Sequence, residues 1–175
     1  MKLRPLLLSL CLLACAAAQA ATLTPEATQD LARRLDDLGG ATFARHDFEK
    51  YARETFPGVI ELTGGRDKFM EQMRVAFAQM DAQHIQFVSH VSRPESQTTD
   101  AGPYEVVRIP EESVLAAGER RVKVISYSLA VRTKPSGPWT FIGGSGIVKQ
   151  PEMLWQLLPG LPRDYKLPPS SMQPI

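Results

Sequence analysis

The run Gly143-Gly144-Ser145-Gly146, set between Ile142 and Ile147, is the first stretch whose residue types could do chemistry. A serine among glycines suits a nucleophile elbow, in which a strained turn presents the hydroxyl. That turn is Gly-x-Ser-x-Gly, and here Ile147 stands where the second outer glycine belongs. A phosphate cradle ends in Gly-Lys-Ser/Thr. The next lysine is Lys149, and Gln150 follows it. Glycines in a strand otherwise mark a bend, so the expectation is a kinked strand over Trp139 to Ile147.

The three histidines, His46, His84 and His90, form no His-x-x-x-His pair. In an extended chain His84 and His90 share a face but stand about 20 Å apart, too far to share a metal directly. His46 beside Asp47 reads as a helix junction. No metal site and no cofactor are expected. Acid–base work needs a carboxylate, histidine or phenol inside a pocket. Tyr51, Glu54, Glu61, His84, Ser126, Tyr127 and Trp139 are available, but no pair has diagnostic spacing. The nearest catalytic candidates are Glu61, His84 and Tyr51. Tyr51, Phe77, Tyr127 and Trp139 are the expected pocket wall. Against this stands ordinary packing: Glu54 solvated on a helix, and the aromatic rings in the core with their polar tips satisfied.

The chain has 175 residues and both cysteines, Cys11 and Cys15, fall near its start. There Lys2 and Arg4 precede an apolar run from Leu6 to Ala18, and Ala18-Gln19-Ala20 is a small-x-small cleavage site. This is the grammar of a secretory signal peptide over residues 1–20. A periplasmic or secreted protein follows. The alternative is a lipoprotein, because Leu12-Leu13-Ala14-Cys15 resembles a lipobox, and only lipidated Cys15 would bring the chain to a membrane. After cleavage at Ala20 there is no disulfide, no thiol nucleophile and no thiolate ligand. The formal charge of +1 includes Lys2 and Arg4, so the exported part is close to neutral. Its basic residues are scattered, which does not suit nucleic acid.

The elements that must position any site read as helices first, then strands. Thr24-Pro25 starts a helix with Leu31, Leu35 and Leu38 on one face, bent at Gly39-Gly40 and continuing to about Ala44. Asp47 caps a short second helix that Pro57-Gly58 ends. "VIEL", Val59 to Leu62, reads as a short strand. A third helix from Arg66 or Asp67 to Met80 carries Phe69, Met73, Ala76, Phe77 and Met80. The period then changes to two. "HIQFVSHV" places Ile85, Phe87 and Val91 on one side and Gln86 and His90 on the other. "YEVVRI" follows a polar loop from Arg93 to Gly102, and a hairpin turns near Gly118 into a long strand, Arg121 to Thr133. Residues 21–150 form one domain. Residues 151–175 hold a short helix, Pro151 to Leu158, and a proline-rich strap.

Helices followed by an antiparallel meander imply an α+β layer fold. The phrases "FARHDFEKYARETFPGVIELTGGRDKFMEQM" and "VKVISYSLAVRTKPSGPWTFIGGSGI" resemble the nuclear transport factor 2-like superfamily, the cystatin-like cone shared with polyketide-cyclase-like proteins. The resemblance covers about Leu23 to Ile147, and the tail is similar to that of exported bacterial members. It implies a strongly curved sheet wrapping the first helix. It also implies either a module holding a small apolar ligand or pairing as a homodimer through the sheet face, or a cofactor-free isomerase or cyclase. The isomerase branch carries a general-base aspartate on the first short strand. Leu62 falls at that place here, with Glu61 one step before it, which favours the non-enzymatic module.

Overall fold

The computed structural model describes residues 21–147 and 150–175. The signal-peptide and lipobox readings lie outside the described residues. Four helices come first: α1 Pro25–Gly39, α2 Phe48–Glu54, α3 Pro57–Leu62 and α4 Arg66–Ala82. Strands β1 Ile85–Ser92, β2 Thr99–Ala101, β3 Tyr104–Ala117, β4 Arg120–Thr133 and β5 Thr140–Gly143 follow. A helical turn α5 Gly144–Ile147, a short helix α6 Met153–Leu157 and a last strand β6 Ser171–Pro174 complete the order.

The fold is α+β, with an antiparallel sheet of six strands that does not close into a barrel. β3 and β4 form its spine through fourteen-residue strands turning at Gly118, whose φ of 62° is the left-handed region a tight turn demands. β1 and β2 share the free edge of β3, and β5 and β6 share the free edge of β4.

Period-two alternation gives the spine two apolar faces. On the inner face Val107, Ile109, Ala130 and Phe141 pack on Leu31, Leu35 and Leu38 of α1. On the outer face Val106, Tyr127, Leu129, Val131 and Ile142 meet Leu154, Leu157, Leu158 and Leu161 of the C-terminal segment. α2 and α4 close a smaller core through Ala52, Phe69 and Met70.

Local chemistry explains the helix ends. The Thr24 hydroxyl accepts from Ala27 N at 3.2 Å with Pro25 in the first turn, and Asp47 accepts from Lys50 N at 2.9 Å. The first helix does run to Ala44, but beyond Gly39 it widens into a π-helical turn, Gly40–Ala44.

Four expectations are corrected. "VIEL" is helix, because Pro57 suits a first turn and lacks the N–H a strand would need. The chain touches β5 through a single Thr55–Phe141 bridge and then turns away. The last strand stops at Gly143, and Gly144 begins a helical turn rather than a kinked strand. The polar loop contains β2, which pairs with β3. In β1, Phe87 and His90 face the same side rather than opposite sides, for the reason given below.

Candidate functional site

A cavity of about 250 Å³ lies between the inner face of the sheet, the end of α1 with its π-helical turn, and α4. Most of its wall is apolar: Leu35, Leu38 and Phe43 from the first helix, Met73 and Phe77 from α4, and Phe87, Leu115 and Val124 from the sheet. Phe43 stacks on Phe87 with centroids 3.9 Å apart and meets Phe77 at 5.2 Å. The π-helical turn displaces the helix surface around Phe43, a distortion common at functional sites.

The polar part of the wall comes from the middle of the spine. Alternation turns Glu111 and Ser113 of β3, and Ser126 and Ser128 of β4, toward the helices. Glu111 stands opposite Ser126, whose hydroxyl donates to its Oε2 at 3.3 Å. Ser113 stands opposite His90, and their side chains meet at 2.9 Å between Nδ1 and Oγ. The other ring nitrogen of His90 lies 3.0 Å from Ser92 Oγ and 3.8 Å from Asp36 Oδ1 of α1. His90 is therefore held from both sides, with its ring 5.9 Å from that of Phe87.

A β-bulge brings Phe87 and His90 together. Phe87 pairs with Leu115 and Ser89 with Val114, so Val88 is an extra residue without a partner. One added residue restores parity, and two side chains three positions apart face the same cavity.

Glu111 has no Lys or Arg partner among the described residues. Desolvation pushes its carboxyl above the ordinary range, and the Asp36 carboxylate adds to the shift. Hydrogen bonds from Ser128 and Ser126 and the nearby His90 oppose it. Burial also raises the Tyr51 phenol, and the nearness of Glu111 adds to that. A carboxyl and a phenol that both hold their protons more tightly than usual thus face one small apolar space.

The expected site residues divide. Tyr51 and Phe77 line the cavity. Tyr127 touches its edge between Ser126 and Ser128, but its ring belongs to the outer core, where its buried hydroxyl has no hydrogen-bond partner among the described residues. Ser126 lines the cavity as its neighbour cannot, because adjacent strand residues point to opposite faces. Trp139 is not part of the wall: it packs beside α1, with the Arg132 guanidinium 4.5 Å from its ring centroid. Glu54 is tied to Arg34 at 2.5 Å. Glu61 is exposed on α3, bordering a separate outer groove with Leu62 and Phe56. His84 is exposed in the turn after α4, with φ of 52°. Neither Glu61 nor His84 reaches the cavity.

Ser145 lies exposed at the rim, and no hydrogen bond joins its hydroxyl to an imidazole among the described residues. The glycine before it has a packing role. A Cβ on Gly144 would fall 2.4 Å from Tyr127 O and 2.8 Å from its ring.

Glu111 and His90 are the residues that sequence reasoning missed. Pro110-Glu111-Glu112-Ser113 reads as a polar break between two strands, whereas β3 runs through it. The register Val107, Ile109, Glu111, Ser113, Leu115 was the available signal: it places a carboxylate on an otherwise buried face. Compared with protein-family models, curated proteins and solved structures, the chain has no match in any of the three.

Proposed function

We propose that this protein is an exported, nuclear transport factor 2-like module whose inner cavity holds a small, mainly apolar ligand carrying one polar group. The observation that carries this reading is the asymmetry of the cavity: an aromatic and aliphatic wall with one cluster of Glu111, His90, Ser113, Ser126 and Ser128. Small-ligand sites have this composition, an apolar wall with a few convergent polar groups, and volumes of roughly 300–1,000 Å³. The cavity lies just below that range, which favours a compact ligand of about one ring. The cone shape belongs to this proposal, as the sheet curving around the first helix. So does self-association, for which the outer face offers exposed Val91 beyond the part that the C-terminal segment covers.

Native mass spectrometry of protein isolated from cell envelopes tests the reading, because a retained small molecule adds its own mass. The Val124→Phe variant places a larger side chain in the cavity wall. The reading requires the wild type to carry the added mass and the variant to lack it. Equal loading of both would place the ligand elsewhere.

A second reading is acid–base catalysis on the held ligand, favoured by a carboxyl and a phenol, Glu111 and Tyr51, facing one cavity. A carboxylate removing a proton beside a carbonyl, with a phenol donating to the oxygen, is cofactor-free isomerase chemistry. Deuterium uptake next to the carbonyl of an added ketone measures that step. Exchange unaffected by Glu111→Gln would leave the protein a binding module only.

A further inference from the structure

The charge balance of the cavity restricts what it can hold. Among the described residues its wall contains one carboxylate, one imidazole and neither lysine nor arginine. The carboxylate, Glu111, receives only neutral hydroxyl donors from β4, although it stands in a site from which much of the solvent is excluded. A second carboxylate, Asp36, lies 3.8 Å from His90, so the field at this end is negative even with the imidazole charged. The rest of the wall is aromatic in large part, with Phe43, Phe77, Phe87 and Tyr51 presenting π-faces or edges. A carboxylate without a lysine or arginine, beside aromatic rings, suits one ligand class above others. An ammonium group donates charge-assisted hydrogen bonds to the carboxylate and is attracted to ring faces. An anionic ligand would face the like charges of Glu111 and Asp36, with His90 the single group of opposite sign in the wall among the described residues.

We propose that the cavity selects small organic amines in their cationic form, with the ammonium group at Glu111 and the apolar body against Phe43, Phe77 and Phe87. This rests on the reading of the cavity as a ligand site and adds the ligand's charge class. The serines define its geometry. Ser126 and Ser128 flank the carboxylate from β4, leaving acceptor positions free for the ligand. His90 borders the site with both ring nitrogens already engaged, by Ser113 and Ser92.

Three ligands with the same ring and different charges make the test: benzylamine, benzyl alcohol and benzoate, titrated calorimetrically into the purified protein at neutral pH. Benzylamine should bind about tenfold or more tightly than benzyl alcohol, as a hydrogen bond to a charged group outweighs a neutral one, and benzoate should bind most weakly. In Glu111→Gln the preference for the amine over the alcohol should disappear while the alcohol still binds. The charge class is wrong, but the ligand site stands, if the alcohol or benzoate binds as well as the amine and Val124→Phe abolishes that binding. An amine preference that survives Glu111→Gln would also overturn the assignment. Absence of binding by all three at millimolar concentration would remove both the amine inference and the ligand reading beneath it.

Discussion

Glu111 is where residue chemistry and fold conflict most directly. A carboxyl whose folded value is raised binds protons more readily in the folded chain than in the unfolded one. Its contribution is therefore most favourable below the ordinary glutamate value of about 4.3 and is lost as pH rises through the folded value. Glu111→Gln escapes that loss. The Tm of the variant relative to wild type should thus rise as pH increases from about 4.3 through the folded value, and a flat difference would contradict the desolvation argument. Gly144 carries a second residue-scale expectation. In Gly144→Ala the new methyl meets the Tyr127 backbone, which cannot rotate away. Overpacking of this kind costs about 1–3 kcal/mol, and denaturant unfolding should show it. Gly146→Ala, where a Cβ meets nothing within 4 Å, should be close to neutral. The sequence was legible here only in part: glycines serving shape could be read, but that Gly144 makes room for Tyr127 depends on a contact between the turn α5 and β4.

At the scale of elements, the caps and periods were readable because their causes are local. Thr24-Pro25, Asp47 and the leucine stripe of α1 need only their neighbours. Two features depend on partners and were not readable. The "VIEL" segment is helix beside a single Thr55–Phe141 bridge rather than a strand in a ladder, and the bulge at Val88 reversed the facing of His90 relative to Phe87. The bulge gives a specific prediction. Deleting Val88 removes the unpaired residue and leaves Phe87 opposite Leu115 and His90 opposite Ser113. The variant should fold and keep its cavity, with a change of about 0.5 kcal/mol, the range of a surface substitution. Deleting Val114 from β3, which is paired on both edges, moves Leu115 to the other face and should abolish cooperative unfolding. Similar behaviour of the two deletions would mean that the register is misassigned.

For the whole molecule, the C-terminal segment is a structural layer. The sequence marks it as a short helix and strap, and its leucine spacing shows that it must bury something. Only the tertiary fold shows that it covers Tyr127, Leu129 and Val131 on the side of the sheet away from the cavity. Leu154, Leu158 and Leu161 are almost fully buried there. Each large-to-small change at such a site costs about 2–5 kcal/mol, comparable with a large part of the net stability of a domain at roughly 5–15 kcal/mol. Truncation after Gln150 should therefore yield an aggregating or unfolded product. Truncation after Pro169 removes β6, whose residues are all exposed, and should leave a folded protein with a modestly lower Tm. A folded, soluble product from the first truncation would show that the outer core is dispensable.

The central claim is that ligands enter the inner cavity beside Glu111. Methyl-resolved NMR during addition of benzylamine measures this most directly, because the two faces of the sheet carry different reporters. The account predicts shifts at Leu35, Leu38, Met73, Leu115 and Val124, with Leu129, Val131, Leu154 and Leu158 unmoved. Shifts confined to the outer set, or none at saturating ligand, would contradict it.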